Sequence, residues 1–300
     1  MNQNERIIDM QWVLKKQVNA EFSGMTVREL LAKGWLLPRK FIHFLRINKN
    51  ITFNGKYRNM NEQVHAGEQV IMKFEGQEFR TKTSNYLVDD TCKIEVLYEN
   101  DDLLVVNKPA GIKSHPNQPL EKGTLMNYVA AYLKADEKAQ PYMVHRLDMQ
   151  TSGAMIIAKN PVVVPILDLL ISQGTIKREY LAKVSGHLPQ SKGEIDFAIG
   201  KDPADKRKRK IDGPKAKPAL TYYEVLEEDA TTSLVALKLK TGRTHQLRVH
   251  LQAMGTPIIG DPLYNHDNNE QMLLHGAKQK LVIPFTNENM EIKAPLPQYF

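Results

Sequence analysis

His145-Arg146-Leu147-Asp148-Met149-Gln150-Thr151-Ser152-Gly153-Ala154-Met155-Ile156-Ile157-Ala158 is the stretch on which the reading of this chain turns. Residues 155–158 form an apolar run of the kind that makes a buried strand. Thr151-Ser152-Gly153 ahead of them is turn chemistry. Asp148 therefore falls just before a tight turn, beside a buried strand, with a cation two residues back at Arg146. A carboxylate in such a place loses solvent, and it stays ionised only where a cation or backbone N–H groups compensate it. These residues alone leave two readings open: an Arg–Asp pair bracing a turn, or a carboxylate held ready for chemistry.

Outward from that stretch, the 300 residues suggest two domains, or one large domain with an appendage. At 42% hydrophobic and 25% charged, the chain has the composition of ordinary globular material. A formal charge of +7 leans weakly towards a polyanionic partner. Cys92 is the single cysteine, which excludes a disulfide framework and a thiolate metal site; a half-buried thiol is expected. The nine histidines have no His-x-x-x-His pair, so no metal is expected. Phosphate-cradling and dinucleotide glycine motifs are absent, as is Gly-x-Ser-x-Gly. The N-terminal residues run into no apolar signal segment, and the apolar stretch 162–171 is interrupted by Pro165 and Asp168. No membrane span is expected, and a cytoplasmic location is.

Taken in order, Thr26-Val27-Arg28-Glu29 has the form of a capping box. Pro38 opens a second helix that carries Phe41, Ile42, Phe44 and Leu45 inward and leaves Arg39, Lys40 and Arg46 to water. Asn54-Gly55 between β-formers signals a hairpin, and residues 70–74 close the unit as a strand. This small α/β unit is assigned to residues 21–75. Between 21 and 73 it holds nine Lys or Arg against four Glu. The polar segment 76–93 reads as a linker. A second composition spans 94–297, with strands expected at 94–98, 103–106, 179–185, 219–226 and 234–240. Its helices are expected at 124–133, 161–172 and 244–254. Tyr180, Ala182 and Val184 alternate onto one strand face. The loop 201–217 carries eight basic residues against three Asp and reads as a flexible arm for phosphates.

The order helix, basic helix, Asn-Gly hairpin and strand resembles the small RNA-binding module named after a small-subunit ribosomal protein. The second domain resembles the RluA-type pseudouridine synthases. The likeness rests on His145-Arg146-Leu147-Asp148 with Thr151-Ser152-Gly153, Arg178-Glu179-Tyr180-Leu181-Ala182-Lys183, Thr241-Gly242-Arg243-Thr244-His245-Gln246-Leu247-Arg248-Val249-His250 and Gly260-Asp261-Pro262-Leu263-Tyr264. Asn107-Lys108-Pro109-Ala110-Gly111 and Leu274-His275-Gly276 fit in the same order, with Gly276 standing where alanine is usual. Any one of these motifs is weak; the ordered set is specific.

The resemblance implies an α+β catalytic domain built on a mixed, mostly antiparallel sheet flanked by helices. It implies isomerisation of uridine in RNA to pseudouridine, with no cofactor and no metal. Asp148 would be the nucleophile, Arg248 would keep it ionised, and Tyr180 would stack on the base with its hydroxyl near the departing C5 proton. Arg146 would fill the place of the extruded base. His145, Lys108, Arg243, His245 and Gln246 are assigned to substrate binding. Ribosomal RNA is favoured over tRNA as partner, and a monomer is expected. A rival reading is an inactive RNA-binding or ribosome-assembly factor of the same fold, against which stand the intact carboxylate and its neighbours. A DNA-binding regulator fits the charge but lacks a helix-turn-helix or zinc pattern.

Overall fold

The computed structural model of the chain describes residues 11–81 and 84–300. Its N-terminal unit begins upstream of residue 21, where the sequence reading starts it. Trp12–Gln17 (β1) pairs antiparallel with a strand at Gln69–Phe74, and Ile51–Phe53 (β2) and Lys56–Tyr57 (β3) complete the sheet. With Gln69–Phe74 as β4, the order is β1-β4-β2-β3. Trp12 and Leu14 point inward while Val13 and Lys15 face water. That alternation is only four residues long before it meets Lys16 and Gln17, too short to stand out in the sequence.

The capping box is present: Thr26 Oγ1 accepts from the Glu29 N–H, and the Glu29 carboxylate accepts from the Thr26 N–H, both at 3.2 Å. The next turn widens into a π-turn at Leu30–Gly34. Arg39–Ile47 (α1) buries Phe41, Ile42 and Leu45 and exposes Arg39, Lys40 and Arg46, as its spacing demands. Asn54 and Gly55 have φ of 46° and 82°, the left-handed pair that a two-residue hairpin turn requires.

The second unit starts with Glu95–Glu99 (β5), Leu103–Lys108 (β6), Tyr142–Met143 (β7) and Ser152–Ala158 (β8). It continues through Lys177–Ser185 (β9), Lys192–Asp196 (β10), and a separate hairpin of Ile199–Lys201 (β11) and Arg209–Ile211 (β12). Leu220–Glu228 (β13), Thr232–Leu239 (β14), Leu274–Val282 (β15) and Asn289–Lys293 (β16) complete it. Three helices flank these strands: Leu125–Leu133 (α2), Val164–Ser172 (α3) and Gln246–Ala253 (α4). The large sheet runs β10-β13-β14-β9-β15-β8-β6-β5, with β16 on β15 and β7 on β8. Only the β15–β8 joint is parallel among the described pairings, so the sheet is mixed and mostly antiparallel. At that joint Gly153 (φ 114°) faces Gly276, and a Cβ on Gly153 would fall 2.3 Å from the Gly276 carbonyl oxygen. A Cβ on Gly276 would meet only ordinary contacts at 3.6 Å, so alanine fits there too.

Residues 103–106 of β6 and 154–158 of β8 are apolar without a break because both faces of the sheet are covered there. Leu104, Val106, Met155 and Ile157 pack under α2, β9 and α4. Leu103, Val105, Ala154 and Ile156 share a continuous core with α3 and the N-terminal unit. Trp12 meets Tyr142 edge-on at 6.3 Å, Trp35 meets Phe285 at 5.5 Å, and the Lys16 ammonium pairs with buried Asp102. Each large apolar side chain buried there is worth roughly 1.5–3 kcal/mol. Residues 76–93 make no helix or strand among those described, yet they are packed rather than slack. Phe79 lies against Phe41 and Phe74, and buried Asp89 accepts from the N–H groups of Thr91 and Gly123. The expected linker is therefore a strap across a shared core. Cys92, expected half-buried, is exposed.

Candidate active site

The stretch 145–148 leaves β7 in extended form, so its side chains alternate. His145 turns inward, and its Nε2 accepts from the Ile156 N–H at 3.0 Å, extending the hold on β8 past the last β7 pair, Met143 with Ile157. Burial drives its pKa down to about 3, so the ring is neutral. Arg146 turns out to water. Leu147 is buried, and Ser114 Oγ bonds both its N–H (3.1 Å) and its carbonyl (2.6 Å). Asp148, the next residue, opens onto the cleft, and its carbonyl accepts from the Thr151 N–H at 3.1 Å to close the turn.

Lys108 holds that turn from below. It is 0% exposed, and its ammonium donates to the carbonyls of Pro109, Ile112 and Met149 at 2.8, 2.9 and 3.1 Å. Burial pulls its pKa down to about 7, and the Asp148 carboxylate opposes the shift. A neutral amine has two N–H bonds, so three carbonyl partners require the charged form. The expectation that Lys108 contacts RNA is thus corrected: every donor it has is spent on the backbone beside Asp148.

From the other side, α4 delivers Arg248. Its Nε and Nη2 form a fork on Asp261 at 2.7 Å each, and Nη1 reaches Asp148 Oδ2 at 3.1 Å. Asp261 is fully buried and also accepts from the N–H groups of Leu263 and Tyr264. The Tyr264 ring covers the guanidinium, with its centroid 5.0 Å from Cζ. Burial works against the Arg248 charge, but the bonds and charges of Asp261 and Asp148 win and raise its pKa. A buried cation with two anionic partners can spare one N–H for Asp148 without disturbing its own seat.

Tyr180 lies on the buried face of β9 and joins Asp148, Arg248, His245, Arg146 and Arg178 around a cleft of about 470 Å³. Burial raises the Tyr180 phenol above its ordinary pKa, with Arg178 opposing and Asp148 adding, so the hydroxyl is neutral. Arg243 is exposed at the rim and holds its Nε on the Pro218 carbonyl. His245 begins α4 with φ 59°. Its Nε2 sits 3.8 Å from Asp148 Oδ2.

Two further residues expected at the substrate are held from within, as Lys108 is. His145 is a prop under β8 and reaches the cleft only at its wall. Gln246 spends both ends of its amide inside the protein, on Thr241, the Arg243 N–H, the Leu220 carbonyl and Thr221. Asp261, Tyr264 and Arg178 also line or support the site, and the motifs that contain them give no role to any of the three. Asp261 in Gly-Asp-Pro-Leu-Tyr is an acid ahead of a proline turn, which is the only sequence signal for its place under Arg248.

The fold and this cleft match one class of protein. The family profile described as RNA pseudouridylate synthase fits residues 102–253, and that described as RluD ribosomal pseudouridine synthase N-terminal domain fits 14–70. The chain belongs to the RNA pseudouridylate synthase family and is an RNA-modifying isomerase. Among relatives, it is similar to the RNA pseudouridine synthase YhcT of Bacillus subtilis, at 33% identity over 93% of this chain and 92% of that one. It is also similar to the ribosomal large subunit pseudouridine synthase D of Neisseria meningitidis, at 30% identity over 82% of this chain and 69% of the relative. The solved structure of human RNA pseudouridylate synthase domain containing 1 superimposes with a TM-score of 0.58 at 31% identity, covering 68% of this chain and 84% of that one. Among the described residues no helix is long and apolar enough to cross a membrane.

Proposed function

We propose that the chain isomerises uridine in large-subunit ribosomal RNA, with Asp148 as the nucleophile and with neither metal nor cofactor. The N1–C1′ bond breaks, the uracil turns, C5 bonds C1′, the C5 proton leaves and N1 gains one. Asp148 attacks ribose C1′ or ring C6, or assists elimination at the ribose; each route needs an ionised carboxylate beside the nucleoside. The observation that carries the reading is the Arg248 Nη1 to Asp148 Oδ2 contact at 3.1 Å, inside a cleft that Tyr180 also lines. Arg248 holds the charge on Asp148 at the cleft wall. The Tyr180 ring stacks on the uracil, and its neutral hydroxyl guides the C5 proton to water. Arg146, exposed at the mouth, enters the stack that the target base leaves. Arg243 contacts the substrate strand, and His245 lines the cleft beside Asp148 where the nucleoside enters.

The N-terminal unit grips RNA phosphates through the exposed side chains of α1. The protein works as a monomer in the cytoplasm. Ribosomal RNA is preferred over tRNA because relatives over most of this chain bear the name of large-subunit ribosomal enzymes. The test is tritium release from RNA labelled at uridine C5, offered as a large-subunit ribosomal transcript and as a tRNA pool. Release from the ribosomal transcript is expected; release from the tRNA pool alone would overturn the target, and release from neither would overturn the activity.

A further inference from the structure

The basic segment 201–217 is a hairpin docked beside the cleft. Ile199, Ala219 and Val249 form a small apolar core under it, with Ile211 and Tyr264 at its edge. Lys206 and Arg207 are exposed near its tip. The Arg209 backbone N–H, at the start of β12, reaches the Tyr264 hydroxyl at 2.7 Å. That hydroxyl lies 2.9 Å from His245 Nδ1, and His245 Nε2 faces Asp148 Oδ2 at 3.8 Å.

The donors in this chain can be assigned. A backbone N–H only donates, so the Tyr264 oxygen accepts from Arg209; giving the tyrosine hydrogen to Nδ1 pairs it and avoids turning a bare Nε2 lone pair towards the Asp148 carboxylate. The ring proton of neutral His245 then sits on Nε2, towards Asp148. At 3.8 Å this is not yet a hydrogen bond, and a shift of about 1 Å would make it one. Arg248 Nη1 already donates to the same oxygen, Oδ2. Both donors converge there, and among the described residues no hydrogen bond reaches Oδ1, which faces the substrate side.

We propose that Tyr264 and His245 connect the basic hairpin to the nucleophile, with His245 as a positioning residue that delivers a second N–H to Asp148 Oδ2 when RNA lies on the hairpin. The proposal rests on Asp148 being the nucleophile. The charged groups around the imidazole are Asp148 from the turn, Arg248 from α4, Asp261 from the turn before Tyr264, and Arg209 from the hairpin. Burial, Arg248 and Arg209 favour the neutral ring against Asp148 and Asp261, and the net shift is downward. His245 holds φ 59°, a left-handed conformation that histidine adopts more readily than most side chains.

The test uses the full-length protein and bulk RNA from cells lacking it, labelled with tritium at uridine C5. Single-turnover release is followed over a range of protein concentrations up to saturation. Tyr264→Phe keeps the ring over Arg248 and removes the hydroxyl. Its rate should fall about tenfold while the half-saturating protein concentration moves less than about twofold. His245→Gln and His245→Ala carry the same left-handed backbone cost, but glutamine keeps an N–H donor; it should be at least about threefold faster than alanine. A Tyr264→Phe rate within about twofold of wild type, or a glutamine variant no faster than alanine, overturns the proposal even if thermal stability drops. Absence of release by the wild-type protein would instead overturn the proposed activity, on which this inference stands.

Discussion

The floor of the cleft and the surfaces around its mouth are both rich in cations, and they hold them in opposite ways. On the floor, Arg248 and Lys108 are buried, and each nitrogen that carries their charge bonds to protein: to Asp261, to Asp148, or to backbone carbonyls. At the mouth, on α1 and on the hairpin tip, Arg146, Arg39, Arg46 and Lys206 stand in water. The two settings give the same residue types different work. A buried cation acts on a neighbouring charge through a low local dielectric, so it governs chemistry. An exposed cation is screened within about 8 Å at physiological salt, so it governs encounter and affinity with a polyanion.

Arg248→Met breaks the floor. It leaves Asp261 buried without its fork and Asp148 without its nearest cation; removing one partner of a buried pair costs about 3–5 kcal/mol. Release of tritium should fall by more than about a thousandfold, together with a lower melting temperature. An active, stable Arg248→Met protein would erase the distinction between floor and mouth. Arg146→Ala, at the mouth, should cost about 10- to 100-fold on structured RNA, as extruding a paired base costs a few kcal/mol. That loss should shrink where the target uridine is unpaired. Equal losses on both substrates would remove the wedge role.

The smallest effect belongs to the far surface. Arg39→Gln with Arg46→Gln should weaken RNA binding and reduce the slope of log affinity against log salt by about 1.4 to 1.8, the value for two phosphate contacts. An unchanged slope would mean that α1 does not grip RNA. Substitution is the cleaner break here than deletion. The N-terminal unit shares a core with Leu103, Val105 and Ile156, so its removal would bare the sheet as well as remove the charges.

How much of this was legible in the sequence follows from the range of the interactions. The capping box at Thr26 and the turn at Asn54-Gly55 are local, and the letters carry them. The alternation of Tyr180, Ala182 and Val184 set the strand and its face. The ordered motifs group Asp148, Tyr180 and Arg248. Lys108 misled because lysine is seldom fully buried. Its three carbonyls come from residues 109, 112 and 149, and nothing local announces them. The seat of Arg248 depends on Asp261, and the docking of the N-terminal unit on Trp12 and Trp35 meeting Tyr142 and Phe285. Such contacts between distant segments leave no pattern along a single chain.

Asp148→Asn is the most direct test of the central claim. The amide keeps the size of the side chain and can still accept from Arg248, but it loses the negative charge and is a far poorer nucleophile. If Asp148 only braced its turn, the change would cost on the order of 1 kcal/mol of stability and leave catalysis largely intact. The account predicts that pseudouridine formation by the purified variant falls below detection while folding and RNA binding persist. Measurable pseudouridine from Asp148→Asn protein, verified free of wild-type enzyme and of deamidation back to aspartate, would contradict it.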